Sequence, residues 1–184
     1  MNNNFALCVG RQLGSGGREI GEKLAARLGI AFYDKELINL ASKESGLGKE
    51  FFEEADEKVN YSLYGGLFGM RASLIDEIYS GYYLSNETLF TIQSNVIRNL
   101  AETESCLFVG RCADYVLKEH PRCLSVFITA NEADRIARVA RNQNLSESKA
   151  KDLIHKTDKK RANYYNYFSD REWGVAQTYQ LTIN

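Results

Sequence analysis

The sequence predicts an α/β fold in which helices cover both faces of a parallel β-sheet. Short apolar runs that end in glycine or a polar residue recur along the chain, and helical patterns separate them. The first run, residues 5–9 (FALCV), leads into a glycine-rich stretch, a helical pattern and a second run at 30–34 (IAFYD). Strand, helix and strand in this order form a βαβ unit, and such units build parallel sheets.

The first helix is predicted from a spacing of four between Ile20, Leu24 and Leu28, which is typical of an amphipathic helix. Gly29 is placed to end it as a C-cap. Residues 35–86 are predicted to form a helical insertion that covers a substrate, because SLYGGLFGM sets three glycines among apolar residues. A loosely packed insertion without a role is the alternative.

The second half of the chain repeats the alternation of helix and strand. A helix is predicted over 87–103, with the apolar residues Leu89, Ile92, Val96, Ile97 and Leu100 on one face. Thr129 and Glu132 have capping-box spacing, so a helix is expected to start near residue 130, and another near Ser146. Further strands are predicted at 106–110 (CLFVG), 123–130 (CLSVFITA) and 179–184 (YQLTIN).

Length and composition indicate one domain over residues 1–184. The net charge of -1 provides no overall field that would attract nucleic acid or a membrane surface, so neither is an expected partner. No cysteine pair has CxxC spacing, and Cys8 and Cys106 lie in or beside apolar runs, where buried reduced thiols are expected. These features, with no signal peptide and no 18-residue apolar run, predict a cytoplasmic protein.

The glycine loop, residues 12–17 (QLGSGG), lies between the first strand and the first helix. In this position backbone N–H groups and the positive helix end bind phosphate in the P-loop pattern GxxxxGK(S/T). Here Gly17 occupies the lysine position and Arg18 the Ser/Thr position. Arg11 or Arg18 is expected to replace the lysine charge. A tight strand-to-helix turn without a ligand is the alternative.

Two further strands end in charged residues that are candidates for ligand or metal binding. In parallel sheets ligands bind beyond the carboxyl ends of the strands, where Asp34 and Arg111 are expected to lie. Asp34 would bind Mg²⁺ through water or accept a proton; the alternative is an N-cap for a helix that starts at Lys35. Arg111 follows Gly110, and Asp114 lies one turn further on. Arg111 would bind an anionic substrate or, alternatively, lie on the surface.

Charged residues on two later helices form the remaining cluster, in the segment 131–165 that is predicted as a lid and the helix after it. Residues three apart form a slowly drifting basic stripe, which would clamp phosphate or face solvent. Heptad-like spacing on the second helix turns an apolar face into a charged one, as in a helix that leaves the core to line a cleft; a local Asp158–Arg161 ion pair is the alternative. The residues concerned are Arg135, Arg138 and Arg141, then Ile154, Asp158, Arg161 and Tyr165.

Together these segments resemble the cytidylate kinase-like family, a branch of the P-loop nucleoside monophosphate kinases. The resemblance covers nearly the whole chain and is carried by GRQLGSGGREIG, FYDKELI, LFVGRCADYVL, FITANEADRIARV and TDKKRANYY with YQLTIN. Ordinary cytidylate kinases have a loop similar to GPSGAGKGT, whereas this branch typically has the SGGRE form. The family implies a three-layer P-loop NTPase-like fold, ATP and Mg²⁺ as cofactors and a small-molecule nucleotide as substrate.

The resemblance also implies residue roles. Gly110 and Arg111 match the start of a Gly-Arg-Asp motif that contacts the monophosphate, and Cys112 stands where its aspartate is expected. No side chain is firmly assigned to metal binding; Ser15 and Asp34 are the candidates for Mg²⁺. The predicted site comprises Arg11, Gly14, Ser15, Gly16, Gly17, Arg18 and Glu19 for ATP, Asp34, Arg111, Asp158 and Arg161 for the acceptor, and Arg18, Asp34, Arg135 and Arg138 for catalysis.

The expected function is ATP-dependent phosphoryl transfer to a nucleoside monophosphate, with CMP or dCMP first. Three alternatives stay open: a kinase of another small anionic metabolite, a nucleotide-binding module without turnover, and a protein that binds no nucleotide. Relatives usually carry one more helix after the last strand. A chain that continues beyond Asn184 or a homo-oligomer, in which a partner covers that sheet edge, would each account for this difference.

Overall fold

The computed structural model describes residues 4–34, 39, 40, 43 and 86–184. Within these residues, five parallel strands form one sheet in the order β2-β3-β1-β4-β5. The α/β fold with a parallel sheet is therefore confirmed. The strands are β1 (Ala6–Arg11), β2 (Ala31–Tyr33), β3 (Cys106–Val109), β4 (Cys123–Ile128) and β5 (Leu181–Ile183).

The helices follow the predicted alternation with the strands. The helix expected at 87–103 begins one residue earlier, and the predicted insertion at 35–86 lies outside the described residues except at 39, 40, 43 and 86. The helices are α1 (Gly17–Leu28), α2 (Asn86–Thr103), α3 (Ala113–Val116), α4 (Glu132–Gln143) and α5 (Glu147–Ser169), and a 3₁₀ turn spans Ala176–Thr178.

The central strands are buried on both faces, which explains why they are uninterrupted apolar runs. On one face Cys8 and Phe108 pack against Ile97 of α2. On the other, Val9 and Leu107 pack with α1. All four cysteines are free thiols, and the expected burial of Cys8 and Cys106 is confirmed.

Helix α1 faces the sheet differently from the orientation that its apolar row suggests. Ile20, Leu24 and Leu28 are 47%, 38% and 48% exposed, whereas the buried residues of the helix are Gly17, Gly21 and Ala25. A Cβ atom at Gly21 would lie 3.2 Å from Leu107 Cδ2. The helix thus approaches β3 closely, and close approach selects small side chains. The spacing-of-four pattern correctly predicted the helix, but not which of its faces is buried.

This orientation gives a prediction for two neighbouring positions. Ala25→Leu is expected to lower the free energy of unfolding by about 1–3 kcal/mol, because a larger side chain would overpack the contact with the sheet. Leu24→Gln, on the exposed row, is expected to change it by less than about 0.5 kcal/mol. Urea unfolding followed by circular dichroism measures both. A larger loss for Leu24→Gln than for Ala25→Leu would contradict this orientation of α1.

The start of α4 corrects a second expectation. The helix begins at Glu132 with Asn131 as N-cap, and no side-chain capping bond is formed there. Thr129 does not cap it. Its hydroxyl donates to Asn184 Oδ1 at 3.3 Å, and its N–H donates to the Ile183 carbonyl at 2.8 Å, so both groups extend the pairing of β4 with β5. The helix start predicted near Ser146 is confirmed, and Ser146 caps the helix, since its Oγ accepts a hydrogen bond from the Lys149 N–H at 3.4 Å.

The carboxyl ends of β1, β3 and β4 meet at one edge of the sheet, where the glycine loop, residues 110–112 and helices α4 and α5 converge. This edge is where the predicted site residues were expected. In the part of the chain that the structure describes, no helix combines the length and the apolar character needed to cross a membrane.

Candidate active site

The glycine loop turns sharply from β1 into α1. Gly14 and Gly16 have φ values of 81° and 85°, a left-handed conformation that favours glycine. Gly16 is the N-cap of α1 and forms no side-chain capping bond. A Cβ atom at Gly14 would lie 2.8 Å from the Arg135 carbonyl oxygen. The loop thus presents a glycine-lined turn at the positive end of α1, which suits phosphate oxygens.

Ser15 contributes to the shape of the loop itself. Its Oγ donates a hydrogen bond to the Gln12 carbonyl at 2.9 Å and accepts one from the Gly17 N–H at 3.3 Å. The residue is buried. Its hydroxyl therefore holds the turn together.

Asp34 lies at the carboxyl end of β2, buried between the two arginines that flank the loop. Arg18 Nε donates to Asp34 Oδ2 at 2.8 Å, and Arg11 Nη2 lies 3.6 Å from Asp34 Oδ1. Each carboxylate oxygen thus faces a guanidinium group. The proposed N-cap role of Asp34 concerns a helix at Lys35, which lies outside the described residues.

The two arginines point in different directions. Arg18 is exposed, forms an ion pair with Glu22 at 3.2 Å and lies over the Phe32 ring at 5.8 Å from its centroid. Arg11 reaches across to β3, where its guanidinium packs so closely on Gly110 that a Cβ atom there would overlap Nη1. Arg11 thus belongs to the space between β1 and β3, and Arg18 to the outer side of α1.

The guanidinium of Arg138, in α4, lies directly on Gly16 of the loop. A Cβ atom at Gly16 would overlap Arg138 Nη1. Among the described residues, no hydrogen bond or ion pair holds this guanidinium. Glu19 is exposed and accepts a hydrogen bond from Lys23 at 2.6 Å; this bond and the Lys23 charge, with a smaller effect of Arg138, lower the pKa of Glu19. The Glu19 carboxylate is thus directed to Lys23.

Arg135 and Asp158, expected to act on ligands, both contact the loop backbone. Asp158 Oδ1 accepts a hydrogen bond from the Leu13 N–H at 2.8 Å, and Arg135 Nε donates one to the Leu13 carbonyl at 2.8 Å. The two side chains also form an ion pair with each other. The Asp158–Arg161 ion pair is present at 3.7 Å, and Arg161 Nη1 donates to the Arg11 carbonyl at 3.2 Å.

A cavity of about 240 Å³ opens beside the loop, between the ends of β1 and β3 and helix α5. Its wall combines cationic and aromatic side chains. The cationic ones are Arg11, Arg111, Lys160 and Arg161, and the aromatic ones are Tyr164, Tyr165, Trp173 and Tyr179. Tyr165 was predicted on a cleft-lining helix face, but Lys160, Tyr164, Trp173 and Tyr179 were not predicted, although Lys160 immediately precedes Arg161 in KKRANYY.

The positive charges in this cavity destabilise one another. Burial, together with the nearby charges of Arg161, Arg111 and Arg18, lowers the pKa of Arg11 to about 10, although the Asp34 charge opposes them. Burial also lowers the pKa of Arg161. Both remain protonated at neutral pH. An anion that entered the cavity would relieve this repulsion.

One carboxyl group, that of Asp114, also lines the cavity. Burial raises the pKa of Asp114, and its Oδ2 accepts a hydrogen bond from the Tyr165 hydroxyl at 2.6 Å. Burial and the Asp114 charge in turn raise the pKa of Tyr165. This hydrogen-bonded pair adds a polar position to the cavity wall.

The backbone at the cavity mouth is strained. Gly110, Arg111 and Cys112 have φ values of 75°, 60° and 53°, so two non-glycine residues adopt the left-handed conformation in succession. The Cys112 side chain packs into a buried aromatic cluster with Phe127 and Tyr179. This turn holds Arg111 at the lining of the cavity.

Sequence comparison decides the family. Residues 6–184 match the cytidylate kinase-like family. The chain belongs to the cytidylate kinase-like family. This cytidylate kinase-like chain is similar to the solved structure of an uncharacterized protein from Eubacterium ventriosum ATCC 27560, with 26% identity, a TM-score of 0.69, and coverage of 98% of this chain and 87% of that one. A comparison with curated proteins gave no significant match.

A more distant likeness concerns the fold. The shikimate kinase from Bacteroides thetaiotaomicron has 14% identity and a TM-score of 0.51, over 98% of this chain and 85% of that one. The predicted P-loop kinase-like fold is thus confirmed. Membership of a kinase-like family, together with this fold, supports phosphoryl transfer to a small metabolite, with ATP as the cofactor that the family implies.

The residues fit the two implied cofactors differently. The glycine loop fits ATP phosphates, because its left-handed glycines and uncapped helix start form a cradle that side chains would fill. Ser15 and Asp34 do not fit a directly bound Mg²⁺, because the hydroxyl is engaged within the loop and both carboxylate oxygens face arginines. Within residues 4–34 and 86–184, no three His, Cys, Asp or Glu side chains cluster as a metal site.

Proposed function

We propose that this cytidylate kinase-like protein transfers the γ-phosphoryl group of ATP to the phosphate of a nucleoside monophosphate, with CMP and dCMP as first candidates. The observation that carries the proposal is the cavity next to the glycine loop, which combines four cationic side chains with aromatic ones. A monophosphate with an attached ring matches both parts of such a wall. The depressed pKa of Arg11 supports an anionic occupant, since its charge is incompletely balanced by the protein.

The reaction needs positioning and charge stabilisation and no covalent intermediate. An oxygen of the acceptor phosphate forms a bond to the γ-phosphorus, the bond from that phosphorus to the β–γ bridging oxygen breaks, and ADP leaves. In this proposal the glycine loop holds the ATP phosphates. Arg11, Arg111, Lys160 and Arg161 hold the acceptor phosphate.

Arg138 is the proposed source of the charge that the P-loop lysine supplies in other kinases. Its guanidinium lies on Gly16, whereas Arg18 is bound to Asp34 and Glu22 and Arg11 faces the acceptor cavity. The sequence favoured Arg11 or Arg18 for this task because both flank the loop. A lid arginine that already contacts the loop needs less rearrangement to reach a phosphate there.

A second candidate is phosphoryl transfer to another small anionic metabolite. It is favoured by Cys112, which stands where the family motif has aspartate and which is buried in the aromatic cluster. A carboxylate is therefore missing from a position that would contact the nucleoside, whereas the cations that suit a phosphate are retained. This candidate keeps the roles of the glycine loop and Arg138 and changes the acceptor.

A panel of acceptors with γ-labelled ATP tests the proposal. CMP, dCMP, UMP, AMP and non-nucleotide phosphates and carboxylates are compared by the rate of labelled product formation. CMP or dCMP is expected to give the highest kcat/KM. A labelled product from a non-nucleotide acceptor, with none from the nucleotides, would establish the second candidate. ATP binding in calorimetry with no turnover of any acceptor would indicate a nucleotide-binding module instead.

Two lysines on α5 provide a further test of the cavity, one as the tested position and the other as its matched control. Lys160→Met is expected to raise the acceptor KM about tenfold, since Lys160 lines the cavity and loses a charge-assisted contact. Lys156→Met changes an exposed residue one turn earlier in α5 and is expected to leave KM unchanged. Equal effects of the two substitutions would argue against this cavity as the acceptor site.

A further inference from the structure

A closed ring of contacts joins the glycine loop to helices α4 and α5. The Leu13 N–H donates to Asp158 Oδ1, and the Leu13 carbonyl accepts from Arg135 Nε, both at 2.8 Å. Arg135 Nη2 also donates to Asp158 Oδ2, which closes the ring. One ion pair, built from two helices, thus holds both hydrogen-bonding groups of a single loop residue. We refer to this ring as the Leu13 clamp.

Because the Leu13 clamp is buried, the loss of either charged partner is costly. The side chains of Arg135 and Asp158 are 8% and 14% exposed, so little water replaces a lost partner. A buried ion pair contributes little net stability compared with apolar residues, but removal of one partner strands the other charge. With Leu13 in its observed position, both Arg135 and Asp158 have hydrogen-bonding partners. The pair therefore specifies where the loop lies more than it stabilises the fold.

Further contacts tie the same stretch of chain to the same two helices. The Leu13 side chain packs against a buried cluster that includes Val139 of α4 and Ile154 of α5. Gly14 lies against the α4 backbone at Arg135, with no room for a side chain. The start of the loop therefore follows any movement of the α4–α5 pair.

Helix α4, which carries Arg135, also carries Arg138, whose guanidinium lies over the other end of the loop. Arg138 follows Arg135 by three residues in α4 and packs on Gly16. We infer that the Leu13 clamp is a positioning device that keeps the glycine loop at a fixed position relative to Arg138. Arg135 and Asp158 then act through Leu13 without touching a substrate, unlike the catalytic and acceptor-binding roles that the sequence suggested for them. The role in phosphoryl transfer rests on the proposed function; the clamp itself does not.

A double-mutant cycle tests the inference with two measurements. The variants are Arg135→Gln, Asp158→Asn and the double variant. Hydrogen exchange of the loop amides is followed by mass spectrometry without nucleotide, and ATP affinity is measured by calorimetry, both where circular dichroism shows each variant folded. Each single variant is expected to speed loop exchange and weaken ATP binding at least about tenfold, because a stranded charge releases Leu13.

The double variant distinguishes a single shared clamp from two independent contacts with the ligand. Its loss of ATP affinity is expected to be at least about fivefold smaller than the product of the two single losses, since both substitutions break the same ring. Losses that multiply would show that Arg135 and Asp158 contact the ligand separately, which would overturn the inference. Unchanged loop exchange in both single variants would overturn it as well.

The controls use the same substitutions at exposed positions of the same helices. Arg141→Gln in α4 and Asp152→Asn in α5 are expected to leave loop exchange and ATP affinity within about twofold of the wild type. If Arg135→Gln does not fold, Arg135→Lys keeps the charge, loses the guanidinium Nε donor and is expected to speed exchange at Leu13. Faster loop exchange in a protein that does not bind ATP would uphold the clamp and refute the proposed function.

Discussion

Arg138→Met is expected to lower kcat for phosphoryl transfer by about 10³-fold while leaving the fold intact. An arginine that stabilises the transferring phosphoryl group typically contributes a factor of this size. Arg138 lies on Gly16, and none of the described residues pairs with its guanidinium, so its loss strands no buried carboxylate. Steady-state kinetics with saturating ATP and acceptor measures kcat, and thermal unfolding measures the fold.

Arg141→Met is the matched control for this prediction. Arg141 lies three residues further along α4 and is exposed, so the same loss of charge occurs on the same helix away from the loop. Its kcat is expected to stay within about twofold of the wild type. If Arg18→Met abolished kcat while Arg138→Met retained it, the missing lysine would be replaced by Arg18 and the assignment to Arg138 would be wrong.

Arg11→Met is expected to make the protein more stable and less active. Burial and neighbouring arginines lower the pKa of Arg11 to about 10 from an ordinary 12.5, so the folded chain holds this proton less tightly than the unfolded chain. The charge therefore opposes folding. We expect the substitution to raise the free energy of unfolding by about 1–3 kcal/mol. We also expect it to raise the acceptor KM about 100-fold, because a desolvated cation no longer meets the anion.

The pH dependence of stability gives this prediction a second readout. The cost of the Arg11 charge is fully present below about pH 10 and disappears as pH rises towards the ordinary value of 12.5. The stability advantage of Arg11→Met is therefore expected at neutral pH and should shrink above pH 10. Arg27→Met, an exposed change in α1, serves as control and is expected to leave stability and KM unchanged. A less stable Arg11→Met protein would show that the charge supports folding.

The strands were predictable from sequence because the central ones are buried on both faces and therefore appear as uninterrupted apolar runs. The buried face of α1 could not be predicted in this way, because the helix packs through Gly17, Gly21 and Ala25, which a search for large apolar residues overlooks. The start of α4 was misplaced because Thr129 pairs with β5, a contact with residues more than fifty positions away. Helix formation is local, but orientation and helix ends depended on tertiary contacts.

In the candidate site, too, local patterns were predictable and tertiary contacts were not. The rule that ligands bind beyond the carboxyl ends of parallel strands predicted Asp34 and Arg111 at one edge of the sheet. Arg111 lines the cavity there, and Asp34 lies beside Arg11, which lines it as well. The roles of Arg135 and Asp158 depend on Leu13, which is 122 and 145 residues away along the chain. No spacing rule reports a contact at that separation. Sequence patterns therefore predicted that these residues lie near one edge of the sheet, but not the contacts among them.

The strand order has a consequence for biosynthesis. Ala6 in β1 pairs with Cys106 in β3 and with Cys123 in β4, so the first strand has both neighbours about 100 residues later. A ribosome that adds about 5–20 residues per second takes several seconds to supply them. During that interval the apolar β1 segment has no sheet partner, and contacts of such long range form slowly. The nascent chain is therefore expected to depend on chaperones until β3 and β4 emerge.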